Sequence, residues 1–154
     1  MSMDAPALRH LADLDVELGA PIELGEGPRG RRRIIPIVGG TVRGERLSGT
    51  ILDLGADWQT IFADGTSELD TRYAMRTDDG ATIDIRNFGF RHGPKEVIDA
   101  LLRGETVDPS LYYMRTQPRF ETGDPRYAWL NRLIAIGTGS RLPAGVRITF
   151  FEVL

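Results

Sequence analysis

The chain has 154 residues, a net charge of −3, 41% apolar and 27% charged residues, and no cysteine. That length and balance suit one ordinary globular domain over residues 1–154, and exclude disulfides, thiolate nucleophiles and Cys-ligated metal sites. The mild negative charge gives no field to draw in nucleic acid or an anionic membrane, so neither is expected as a partner.

The opening "MSMDAPALRH" lacks the basic-then-apolar layout of a signal peptide. No apolar run reaches the roughly 20 residues of a membrane span. The expected location is the cytoplasm.

In chain order, "DLDVEL" alternates Leu14, Val16 and Leu18 against Asp13, Asp15 and Glu17, a half-buried strand. "RRIIPIVGG" is a denser apolar run in which Pro36 argues for an edge or a bulge. "LSGTILDL" and "WQTIF" read as short strands. "SELDTRYAMRT" puts Leu69, Thr71, Tyr73 and Met75 on one face, and "ATIDIRNFGF" does the same with Ile83, Ile85 and Asn87. Asp64-Gly65 and Asp79-Gly80 are hairpin signals that join the last three into a meander.

"HGPKEVIDALLRGE" predicts one helix at about 94–103. Pro94 stands at its start, Gly104 lies just past its end, and Val97, Ile98, Leu101 and Leu102 form an apolar stripe. Beyond it, "LYYMRTQPRFE", "RYAWLNRLIAIG" and "GVRITFFEV" read as three more strands. Eight to ten strands with short connections favour antiparallel neighbours. Periodicity leaves a sandwich or a barrel open, and the up-and-down order leans towards a closed barrel.

"GGTVRGERLSGTILDLGADWQ", "SELDTRYAMRTDDGATIDIRNFGFRHGP" and "YYMRTQPRFETGDPRYAWLNR" resemble successive blocks of one bacterial family of small all-β proteins, the domain of unknown function three-two-three-seven. The resemblance runs in order from about Arg33 to the C-terminus. It implies an all-β fold: a closed antiparallel up-and-down β-barrel with one short α-helix covering part of it. It implies no reaction, since the family has no established one.

Candidate chemistry gathers in "QPRFETGDPRYAWLN". Read as strands, it places Tyr127, Trp129 and Asn131 on one face, near Arg115, Gln117, Arg119 and Glu121 on a neighbouring one. Aromatics, an amide and a cation near an anion are the make-up of an apolar pocket with a few placed polar groups. There Glu121 would serve as acid/base and Arg119 as charge stabiliser. The alternative is a structural Arg–Glu pair pinning a surface hairpin. Trp58, Tyr73 and Asn87 fall on the apolar parity of their strands, as ligand-binding wall and donors or as buried groups that satisfy one another.

The four arginines of "GPRGRRR" read as a solvated strand start, not a phosphate or nucleic-acid site. The two histidines, His10 and His92, lie far apart without metal-ligand spacing, so no metal and no cofactor is expected. The expected function is a semi-polar barrel cavity that holds or acts on an aromatic or carbonyl-bearing small molecule, with cofactor-independent lyase or isomerase chemistry. The alternatives are a non-catalytic carrier or sensor, and a homo-oligomeric structural protein whose aromatics fill an interface.

Overall fold

The computed structural model describes residues 1–154. Its strands are β1 (Leu8–Leu18), β2 (Ile22–Gly27), β3 (Gly30–Arg43), β4 (Gly49–Ile51), β5 (Gly55–Ile61), β6 (Ser67–Thr77), β7 (Thr82–His92), β8 (Tyr113–Glu121), β9 (Ala135–Leu142) and β10 (Gly145–Val153). Helix α1 spans Lys95–Leu102, and two 3₁₀ segments span Pro109–Leu111 and Pro125–Arg132.

Every pairing is antiparallel. From β3 the ladder passes through β5, β6, β7, β8, β9 and β10 to β1, and β1 pairs back onto β3. These eight strands close the expected up-and-down barrel. The two others share positions on long neighbours. β4 and β5 fill two halves of one gap between β3 and β6. β2 takes over from β1 along the first half of β3. Pro36 sits at that handover, between Ile34 opposite Ile22 and Ile37 opposite Leu18, where a missing N–H is tolerated.

The alternation sorts each strand. Leu69, Tyr73 and Met75 point inward from β6, as do Ile83, Ile85 and Asn87 from β7, while their neighbours in sequence face solvent. Both Asp-Gly turns form hairpins in which only the glycine has positive φ, +86° at Gly65 and +96° at Gly80. A type I turn closed by that glycine explains this, with Gly80 N–H bonded to Thr77 O and Thr77 N–H to Ala81 O. α1 ends with Gly104 N–H on Leu101 O and Glu105 N–H on Ala100 O, the Schellman pattern the glycine signalled. Ile98 and Leu101 are its buried face, and Ile98 packs beside Gly65 in the β5–β6 turn.

Two differences from the sequence reading matter. β2 was not expected: its residues are almost all exposed, so it carries no alternation. The expected strand over "RYAWLN" is a 3₁₀ segment instead. The Asp124 side chain caps it by accepting from Arg126 N–H, and Pro125 starts it with φ already helical. Strand β9 begins only at Ala135.

The barrel has two unlike ends. Where β8 hands over to β9, the 3₁₀ segment plugs the base, and Leu130 is buried against a dry core that includes Leu14, Val42, Met75, Ile83 and Phe150. At the opposite end, near the start of β6 and the ends of β7 and β9, the interior is polar, and α1 packs Ile98 beside the β5–β6 turn.

Candidate functional site

The polar end contains a cavity of about 40 Å³. A water needs roughly 10–15 Å³ by the same measure, so this is room for a few. Its apolar wall is Ile35, Ile37, Leu69, Val146 and Ile148, and its polar wall includes Asp57, Gln59, Tyr73, Asn87, Arg91, Thr116 and Arg141. These residues come from strands all round the barrel. β5 turns Asp57 and Gln59 inward and Trp58 outward, β7 places Arg91 four residues beyond Asn87 on the same face, and β9 ends with Arg141 at the rim.

A hydrogen-bond relay organises one wall. Arg33 Nε donates to Gln59 Oε1 at 2.9 Å, and Gln59 Nε2 donates to Asp57 Oδ2 at 2.8 Å. The Asp70 N–H donates to the other Asp57 oxygen at 3.0 Å. Burial pushes the Asp57 carboxyl above its ordinary value, outweighing hydrogen bonds from Gln59, Thr71 and the Asp70 N–H and the attraction of Arg91.

The arginines are displaced the other way. Arg91 is pushed down to about 10, first by burial and then by Arg141 and Arg33. Arg33 is lowered by burial and by Arg141, and Arg141 is lowered by its own burial. Tyr73, buried with no neighbouring charge, is pushed up. Four buried atoms on the cavity wall lack a partner within the chain: Tyr73 Oη, Asn87 Oδ1, Arg91 Nε and Thr116 Oγ1. Such atoms are costly in a folded interior and mark places where a bound molecule can supply the missing bond.

Of the expected site residues, the structure brings only Tyr73 and Asn87 to this cavity. The even-numbered residues of β8, Met114, Thr116, Pro118 and Phe120, face inward, so Arg119 and Glu121 lie on the outer face. There they line a shallow polar groove with Asp84, Arg86 and Asn131. Trp58 is likewise outside and exposed.

The remaining three belong to the base. Tyr127 Oη donates to Asp79 Oδ1 at 2.8 Å, and Arg46 stacks over Trp129 at 4.9 Å. Asn131 holds the Thr122 backbone, accepting its N–H at 2.8 Å and donating to its carbonyl at 2.9 Å. "QPRFETGDPRYAWLN" is therefore a barrel edge and plug, at the far end from the cavity.

Sequence reasoning passed over Asp57, Gln59, Arg33, Arg91, Arg141 and Thr116. Three of them carried a usable signal. Arg91 continues the inward series Ile83, Ile85, Asn87, and Asp57 and Gln59 share the parity of Ile61. No three acidic or histidine side chains gather where they could hold a metal ion. No helix is long and apolar enough to cross a membrane.

The fold and its interior define a class: a small closed up-and-down β-barrel around a partly polar chamber. The chain belongs to the family described as "Protein of unknown function (DUF3237)", which matches residues 6–153. It is 44% identical over 146 residues to the UPF0311 protein RPA1785 of Rhodopseudomonas palustris, covering 95% of each chain. It is 43% identical over 141 residues to the UPF0311 protein CA_C3321 of Clostridium acetobutylicum, covering 91% of this chain and 89% of that one.

The crystal structure of RPA1785 superposes with a TM-score of 0.96 at 42% identity, over 99% of this chain and 100% of the other. A more distant likeness is to the hydroalkoxylation enzyme phnH of Penicillium herquei, 28% identical over 106 residues, 69% of this chain and 56% of that protein. The crystal structure of an enzyme from the same fungus shares the fold, with a TM-score of 0.76 at 20% identity over 100% of this chain and 98% of that one.

Proposed function

We propose that the barrel cavity binds a small carbonyl- or phenol-bearing organic molecule and moves a proton on it without a cofactor, as a lyase or isomerase does. The observation that carries this reading is a buried carboxyl, Asp57, on the wall of a cavity where four other polar atoms are left unpaired. A carboxyl held above its ordinary value can take a proton from one atom of a bound molecule and return it to another near neutral pH. Tyr73 donates to a ligand oxygen, Asn87 and Thr116 orient it, and the aliphatic wall excludes water.

The likeness to a hydroalkoxylation enzyme supports the same chemistry. In that reaction class the hydroxyl proton goes to a base, the oxygen bonds one alkene carbon, and a proton is delivered to the other. No atom is gained or lost.

The rival is a carrier in which Asp57 is purely structural, since both its oxygens already accept hydrogen bonds from Gln59 and Asp70. NMR titration of the Asp57 carboxyl separates the two. The catalytic reading expects a midpoint above 3.8, the ordinary value. It also expects solvent exchange of the α-proton of the small probe isobutyraldehyde to be lost in Asp57→Asn and kept in Glu121→Gln. A midpoint at the ordinary value, or unchanged turnover in Asp57→Asn, removes Asp57 from the chemistry.

A further inference from the structure

We infer that the ligand of this cavity is an organic carboxylate, gripped by Arg91 and Arg141, with Arg33 adding positive charge from behind Gln59, and lying with its apolar body against Ile35, Leu69, Val146 and Ile148. This rests on the cavity being a ligand site and goes further by fixing the ligand's charge.

The argument starts from the location of charge. The ion pairs of the molecule lie towards its exterior and use other residues, such as Arg9–Glu152, Arg29–Glu68, Arg72–Asp84 and Arg147–Asp15. Arg33, Arg91 and Arg141 pair with no carboxylate within 4.0 Å. Yet Arg91 is only 2% exposed and Arg33 only 6%. Arg91 Nε has no partner, and its Nη2 reaches only Ser67 Oγ at a long 3.4 Å.

Arg91 and Arg141 line the cavity and Arg33 stands behind Gln59, so three guanidinium groups surround one interior carboxyl, Asp57, which even when ionised leaves positive charge in excess. Buried charge without a counter-charge is among the costliest arrangements a fold can hold. It is retained where the counter-charge arrives with a ligand. A guanidinium fork matches a carboxylate through two parallel hydrogen bonds. The aliphatic wall beside it selects an organic acid over an inorganic anion. Arg141, at the rim and partly exposed, stands where an entering anion would first meet positive charge.

The test compares acids with their neutral isosteres on the intact chain. Isobutyrate and benzoate are titrated against isobutyramide and benzamide, with inorganic phosphate as a body-less anion, reading the Arg91 Nε–H resonance and the melting temperature. The acids are expected to bind at least about tenfold more tightly than the amides and than phosphate. Arg91→Met is expected to lose that preference. Should it fail to fold, Arg141→Met at the rim is expected to weaken the acids and leave the amides unchanged. Amides binding as well as acids would overturn the charge assignment while leaving the cavity reading intact. Phosphate binding as well as the acids would overturn the organic body. Binding of none of the five would overturn the cavity reading itself.

Discussion

The two ends of the barrel interior are built from the same strands and obey opposite rules. At the base the inward side chains are mainly apolar: Leu14, Val42, Met75, Ile83, Ile85, Phe120 and Phe150 interlock, and the two phenylalanine rings meet edge to face at 5.7 Å. A few residues along β7 and β8, and on β5 where it replaces β4, the inward positions become Asn87, Arg91, Thr116, Asp57 and Gln59. One end is satisfied by its own packing. The other leaves donors and acceptors open and carries unneutralised charge. Stability and chemistry are thus separated along the barrel axis, and loss of a side chain should mean different things at the two ends.

The hardest test of that division is at the base. Phe150→Ala removes a fully buried ring and should lower stability by roughly 3–5 kcal/mol in a denaturant melt. A much smaller loss would mean that the base is not the stabilising half.

At the polar end, pH should separate wild type from Asp57→Asn. The folded chain keeps the Asp57 proton at pH values where the unfolded chain has released it. That contribution is therefore complete below the unfolded value near 3.8 and is lost as pH rises through the higher folded value. The asparagine variant cannot ionise, so the stability difference should move in its favour as pH rises from about 4, the ordinary carboxyl range. Urea melts at several pH values read this directly, and a flat difference would mean that the folded and unfolded chains release this proton at the same pH.

The smallest effect is expected on the border. Tyr73→Phe deletes a buried hydroxyl without a partner in the chain, so stability should stay within about 1 kcal/mol of wild type or rise. A loss well beyond that would mean the hydroxyl is held in the free protein and that the border belongs to the structural half.

Most of the barrel was legible because burial on one side leaves a period of two in the sequence. β6 and β7 could be assigned face by face down to Tyr73 and Asn87, and the two Asp-Gly turns fixed their order. The site was less legible for a related reason. In β8 three charged residues, Arg115, Arg119 and Glu121, sit close to aromatics, which resembles a pocket; they are on the solvent face of a plain alternating strand. "RYAWLN" has strand-forming residues, but Asp124-Pro125 before it starts a helical turn, and local capping outweighed propensity. The cavity arginines were hidden by their own chemistry. An arginine in a sequence is read as surface, and Arg33 sat inside a run in which Arg29 and Arg31 do form ion pairs towards the exterior.

The departure of β2 from β1 leaves an uncovered interruption in the ring. Since β2 pairs only with β3, its far side carries free main-chain donors and acceptors with Ile22 and Leu24 exposed beside them. A closed ring offers nothing for a second chain to zip onto; this stretch does. Its protections are those of guarded sheet margins: the irregularity between Glu23 and Gly25, the negative charges of Glu23 and Glu26, and a length of six residues. Self-association of the folded protein through backbone pairing, wherever conditions provoke it, should begin on this ribbon.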